Sequence, residues 1–202
     1  MPHETEMKFA VKSLDAVARR LGALGAKRLY TALQDDCYFD TPRRRLLRTG
    51  RGLRLRTQRL LRAGCDTMDA RAELTYKGPS RRGAKAKVRM EHQSRIDDAS
   101  AVATVLEACG LRPMLRLQKR RSSYRLGHCL VELDELPLLG CFVEIEGPTE
   151  ASIESARRAM HLAGPAIRSH YVRLLQTRCT RAGRSCRGVT FRLCRRCVRR
   201  PR

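Results

Sequence analysis

Charged residues recur at every second position along much of the chain. Glu4, Glu6 and Lys8 do so, as do Arg54 and Arg56; Glu73, Thr75 and Lys77; Lys85, Lys87, Arg89 and Glu91; Lys119 and Arg121; Glu132 and Asp134; and Glu144 and Glu146. In an extended chain residues i and i+2 share a face, so each set would present its charges together. Acidic pairs lie near both ends of the series and basic pairs between them. Clustered carboxylates hold a hard divalent cation through oxygen ligands. Clustered Arg and Lys hold phosphates, Arg bidentately. A ligand with both a phosphate chain and a bound Mg2+ or Mn2+ satisfies both sets. A nucleoside triphosphate or an inorganic triphosphate fits that description.

These residues need strands to align them, and the pattern predicts strands over 4–11, 29–40, 53–56, 72–77, 86–96, 112–125, 128–135 and 141–146. Helices are expected after Ser13, which can cap the first, and over 99–109, 150–163 and 166–177. Asp40-Thr41-Pro42 reads as turn chemistry. Apolar partners such as Leu53 and Leu55, Leu74 and Tyr76, or Val143 and Ile145 take the opposite strand faces. An isolated strand of this kind is commonly half-exposed, with solvated charge on its outer side. Here the helices have apolar faces that need a surface, and the apolar strand faces supply one. The charged faces must then look inward, and eight closed strands leave room for one small ligand. The expectation is an α+β fold: an eight-stranded antiparallel closed barrel with a charged lumen and helices packed outside.

Composition bounds the function. The chain has 202 residues, 42% apolar and 31% charged, with a formal net charge of +23. That is a globular composition with a polyanionic partner in view. No apolar run is long enough to span a bilayer. The first residues lack a basic n-region and an apolar h-region, so the expectation is a cytoplasmic protein with no secretory signal and no membrane partner. Aromatic content of 4% with no Trp disfavours single-stranded nucleic acid as a specific partner. The His residues show no metal-ligand spacing, and no GxxxxGK[ST] phosphate loop is present. The body, 1–177, reads as one domain. Residues 178–202 hold ten Arg and no acid and read as a disordered basic tail. The tail's Cys179, Cys186, Cys194 and Cys197 include one CxxC pair, but their spacing disfavours a zinc site. The scattered cysteines read as thiols of a reducing compartment.

Further motifs accompany the alternation: Glu4-Thr5-Glu6-Met7-Lys8 as ExExK, Tyr38-Phe39-Asp40-Thr41-Pro42, Leu53-Arg54-Leu55-Arg56, Leu74-Thr75-Tyr76-Lys77-Gly78-Pro79, Arg89-Met90-Glu91, Lys119-Arg120-Arg121, Leu133-Asp134-Glu135, and the run from Leu139 to Gly147 containing Glu144 and Glu146. In this order they resemble the CYTH superfamily of triphosphate tunnel metalloenzymes, most of all its bacterial class IV adenylyl cyclase branch. The resemblance spans residues 3 to about 177. It implies that Glu4, Glu6, Glu144 and Glu146 help hold divalent metal, Mg2+ or Mn2+, with Glu91 and Asp134 in support. It implies phosphate contacts from Lys8, Arg54, Arg56, Lys77, Lys87, Arg89, Lys119 and Arg121, and a catalytic role for Glu4, Glu6 and Lys8. Departures stand at His3, Gln93 and His170, where an apolar residue, a Glu and a Ser are usual.

Two reactions suit such a cage. A cyclase would have the substrate's 3′-hydroxyl attack the α-phosphorus of ATP, giving cyclic AMP and pyrophosphate. A triphosphatase would direct water at the terminal phosphorus of tripolyphosphate, thiamine triphosphate or a nucleotide. A non-catalytic polyanion-binding module is disfavoured, because the acidic pairs would repel a polyanion without metal. The outer barrel face could be covered by helices or by the second subunit of a homodimer.

Overall fold

The computed structural model describes residues 3–61, 70–80, 86–183 and 187–191. In chain order the elements are β1 (His3–Val11), α1 (Leu14–Ala23), β2 (Lys27–Asp40), α2 (Arg45–Arg48), β3 (Gly52–Leu60), β4 (Ala70–Lys77) and β5 (Lys87–Ile96). They continue with α3 (Ala99–Ala108), β6 (Arg112–Leu126), β7 (Cys129–Leu136), β8 (Gly140–Glu146), α4 (Glu150–Ala159), α5 (Tyr171–Arg181) and β9 (Gly188–Val189). The first eight strands run in the order β2-β3-β4-β5-β1-β8-β7-β6, and β2 pairs again with β6, so the sheet closes. All eight pairings are antiparallel. The closed α+β barrel expected from the alternation is therefore present.

The outward parity of three adjacent strands is apolar. Met7 and Phe9 of β1, Val131 and Leu133 of β7, and Val143 and Ile145 of β8 form one buried cluster with Val17 and Leu21 of α1 and Ile153 and Ala156 of α4. Ser13 caps α1 by accepting from the Ala16 amide, and Thr149 and Ser152 form a reciprocal capping box at α4. Each such cap contributes about 1 kcal/mol and fixes where the helix begins over the sheet. The Asp40 turn is as expected: its carboxylate accepts from the amides of Thr41, Leu46 and Leu47, and so shapes the short helix α2.

The last helix differs from the other two. Leu115 and Leu117 share the inward parity of Lys119 and Arg121; Leu136 shares that of Asp134, and Phe142 that of Glu144. These four residues form a second cluster with Tyr171, Val172, Leu175 and Cys179 of α5, and with Val189. α5 thus packs on inward-facing residues and lies across one end of the barrel.

This corrects the expected boundary at 177. α5 continues to Arg181, and residues 187–191 return to the barrel, with β9 parallel to β6 at Arg116 and Leu117. The helix expected over 166–177 begins later, at Tyr171, because residues 160–170 form a strap whose Ile167 amide donates to the Lys8 carbonyl. Cys179 is disulfide-bonded, which takes it out of a thiolate zinc set. Cys37, Cys109, Cys129 and Cys141 are free thiols. Lys85, Cys65, Cys186, Cys194 and Cys197 lie outside the described residues, as do 184–186 and 192–202.

Candidate active site

Barrel closure turns the charged parities onto one lumen, a cavity of about 1070 Å³. Eight basic side chains expected at phosphate line it: Lys8, Arg54, Arg56, Lys77, Lys87, Arg89, Lys119 and Arg121. Glu4, Glu6, Glu91, Glu144 and Glu146 line it too. Most of these groups are buried, so each needs a partner.

Strand register sets the partners. Between β1 and β5, Glu4 stands opposite Arg89 and Glu6 opposite Lys87. Lys87 Nζ lies 2.9 Å from Glu6 Oε1, and Arg89 reaches Glu4 at 3.1 Å and Glu6 at 3.3 Å. Lys77 of β4 bridges Glu4 at 3.0 Å and Glu91 at 2.5 Å. On the opposite wall Arg121 is the hub. It holds Asp134 through Nε at 2.6 Å and Nη2 at 2.5 Å, Glu144 at 2.6 Å, and Glu132. Lys8 pairs with Glu144 at 3.1 Å. Between β2 and β3, Arg56 grips Asp36 bidentately at 2.6 and 2.9 Å. Arg54 donates to Thr75 and Glu73, while its buried Nε has no partner among the described residues.

These contacts displace several titrations. Burial would raise the Glu144 carboxyl, but Lys8, Arg121 and Lys119 override it and hold it well below the usual range. Burial also opposes ionisation of Asp36, and Arg56 and Arg54 again prevail. Burial and the neighbouring Arg121 push Lys119 down to about 8, despite Asp134. Glu146 behaves oppositely. It is exposed at one mouth, yet the surrounding protein strips hydration from its carboxyl, and Glu4, Glu132 and Glu91 add negative charge. Its pKa is pushed up to about 7. Among the described residues it makes no ion pair.

Glu146 therefore bears on the fit of a metal. No three carboxylates close to ligating geometry among the described residues, because Lys77, Lys87 and Arg89 occupy the space between them. The donor chemistry still fits a hard divalent cation: oxygen ligands only, and an unpaired carboxylate in a field of like charge.

Asp134 departs from its expected place. It is 0% exposed and does not line the lumen. Arg121, Lys119 and the Tyr171 hydroxyl, at 2.9 Å, take its oxygens. It anchors α5 to the wall, and a metal has no free oxygen to claim there. Glu73 and Glu132, equally readable as lining or as surface pairs, line the lumen.

Sequence reasoning missed the contribution of β2. Tyr30, Gln34, Asp36 and Tyr38 share its inward parity, and Gln34 and Asp36 are almost fully buried. From Tyr30 to Tyr38 that face carries one charge, so it lacked the i,i+2 charge pairs of the other strands. Tyr171 was missed as well. Lys8 Nζ sits 3.7 Å from its ring centroid, a packed cation–π contact.

A closed antiparallel tunnel, lined by cations interleaved with carboxylates, defines a class of protein built to enclose a compact polyanion. The CYTH domain profile matches residues 2–163, and the chain belongs to this family. It is 32% identical over 143 residues to the adenylate cyclase CyaB of Aeromonas hydrophila, covering 70% of this chain and 67% of that protein. The PH1819 protein of Pyrococcus horikoshii shares the fold at a TM-score of 0.73 and 24% identity, over 86% of this chain and 98% of the other. HpAC1 from Hippeastrum, described as having a dominant triphosphatase activity, aligns at a TM-score of 0.64 and 19% identity, over 90% and 97% of the two chains.

Proposed function

We propose that the protein is a divalent-metal-dependent enzyme that processes a triphosphate inside the tunnel, with ATP converted to cyclic AMP and pyrophosphate as in class IV adenylyl cyclases. The observation that carries this reading is the enclosed set of eight basic side chains, including a buried Arg54 Nε that lacks an acceptor. A phosphate chain supplies the acceptors that this set wants. Arg56, Arg54 and Arg121 would orient successive phosphoryl groups, and fixed orientation is worth several kcal/mol of barrier. Lys8, Lys87 and Lys119 would offset charge that builds on the departing group. Oxygen donors from Glu4, Glu6, Glu91, Glu144 and Glu146 would hold Mg2+ or Mn2+, which polarises a phosphoryl oxygen when bound. Under this reading the protein works in the cytoplasm on a small molecule rather than on nucleic acid. A homodimer is the expected way to shield any outer barrel face left open by its own helices.

Hydrolysis of a triphosphate by the same cage is the second reading, and HpAC1 is the relative that favours it. Product analysis separates the two. Purified protein would receive ATP, and separately tripolyphosphate, with Mg2+ or Mn2+, and the products would be resolved by anion exchange. Cyclic AMP with pyrophosphate supports the cyclase. Orthophosphate with ADP or pyrophosphate replaces it with the triphosphatase. No product from either, with metal present, refutes both.

A further inference from the structure

His170 sits where the strap meets α5, at the Lys8 end of the lumen. Lys8 Nζ donates to the neighbouring Ser169 carbonyl at 3.3 Å, which fixes this junction beside the β1 cation. The His170 ring lines the cavity. Its Nδ1 accepts from the Arg173 amide at 3.3 Å and so caps α5. With Nδ1 committed as an acceptor, the ring proton belongs on Nε2. The two nitrogens lie on opposite sides of the ring, so Nε2 faces away from the helix. Among the described residues Nε2 has no hydrogen-bond partner.

We infer that His170 is a substrate-contacting residue whose Nε2–H donates to a phosphoryl oxygen held between Lys8 and Lys87. This rests on the triphosphate reading of the tunnel and adds a residue to it. The charges that face the ring agree with the assignment. Burial, together with Lys87 and Lys8, and then Arg89 and Arg173, pushes His170 down to about 4, so the free tunnel holds it neutral. A second proton could enter only at Nδ1 and would break the cap, so the ring donates from Nε2 as the neutral imidazole. The contribution of this contact to binding is therefore the same from pH 5 to 8.

The test uses the full chain and, as the probe, tripolyphosphate in the presence of Mg2+. Dissociation constants would be measured by calorimetry for the wild type, His170→Ser and His170→Asn, from pH 5 to 8. Both replacements keep a side-chain oxygen able to cap α5, so melting temperatures should match the wild type. Both should weaken binding about tenfold at pH 7. The ratio of variant to wild-type dissociation constants should stay constant with pH, because the ring donates while neutral. Equal affinities with equal melting temperatures would overturn the role of His170 alone. A ratio that grows as pH is lowered would overturn the neutral-donor assignment, since it would require a protonated ring. Failure of the wild type to bind tripolyphosphate at all would overturn the tunnel reading, and this inference with it.

Discussion

Replacing Asp134 with Asn should unfold the tunnel wall before it disturbs any metal. Asp134 is fully buried and compensates Arg121 and Lys119, with bonds of 2.6 and 2.5 Å to the first and 3.2 Å to the second. Removing one side of a buried ion pair costs about 3–5 kcal/mol. Two features place this case at the lower end. Arg121 keeps Glu132 and Glu144 as partners. Lys119, already pushed down to about 8, can shed its proton when its counter-charge goes. Asn also keeps one oxygen for the Tyr171 hydroxyl. A loss of about 3 kcal/mol is expected, which for a domain of this size lowers the melting temperature by about 6–12 °C. Circular dichroism melts in chelator would measure it, and calorimetric titration with Mn2+ would follow at a temperature where the variant is folded. Mn2+ affinity in the presence of tripolyphosphate should stay within a factor of two or three of the wild type. An unchanged melting temperature with lost Mn2+ binding would refute the reasoning and restore Asp134 to the ligand set.

Three further outcomes follow from the same geometry. Glu146 has a folded-state pKa raised to about 7, so its contribution to stability is present below the ordinary carboxylate range and is lost as pH rises through about 7. Melting temperature in chelator should fall across that window; Mg2+ should reverse the fall and Glu146→Gln should abolish it, whereas a fall that persists in the variant would assign the effect elsewhere. Lys119, at about 8, should make tripolyphosphate binding weaken above that pH, and Lys119→Arg should flatten the decline; an identical decline in the variant would exclude Lys119 as its source. Glu6→Gln removes the carboxylate that organises Lys87 and Arg89, and turnover of the preferred triphosphate should drop at least 100-fold; a wild-type rate would remove Glu6 from the catalytic set.

The barrel was legible because alternation is a local signal that closure converts into a global one. Arg54 and Arg56, or Glu144 and Glu146, announce a charged strand face without reference to any other segment, and the helices' need for an apolar surface turns that face inward. What stayed hidden depended on distant partners. Asp36 is the one charge among the inward residues from Tyr30 to Tyr38, and only pairing of β2 with β3 shows that it serves Arg56. Asp134 was expected to support the metal because the family resemblance implies it, and in sequence Glu132-Leu133-Asp134 has the same spacing as Glu144-Ile145-Glu146. The difference between them comes from α5, which brings the Tyr171 hydroxyl to Asp134. The extent of α5 was hidden too, since its last turn is rich in Arg and merges by composition into the basic tail.

The lumen's pairings explain how one cavity can suit both a polyanion and a cation. Each of the eight cations expected at phosphate has a carboxylate partner in the free protein, among them Lys77 and Arg89 with Glu4, Lys87 with Glu6, and Lys8 with Glu144. Buried charge left unpaired would cost several kcal/mol per group, so the free tunnel needs this internal neutralisation to stay folded. On the proposed triphosphate reading, a phosphate chain would compete for the same Lys and Arg donors. As it takes them, Glu4, Glu6 and Glu144 lose their counter-charges while buried, a condition that only protons or a metal can relieve. A divalent cation alone meets the converse difficulty, because Lys and Arg must first release the carboxylates. Each ligand thus creates the vacancy for the other. By linkage the factor by which the metal tightens triphosphate binding equals the factor by which the triphosphate tightens the metal's. An enzyme built this way resists binding either partner alone and closes its charge balance only when both are inside.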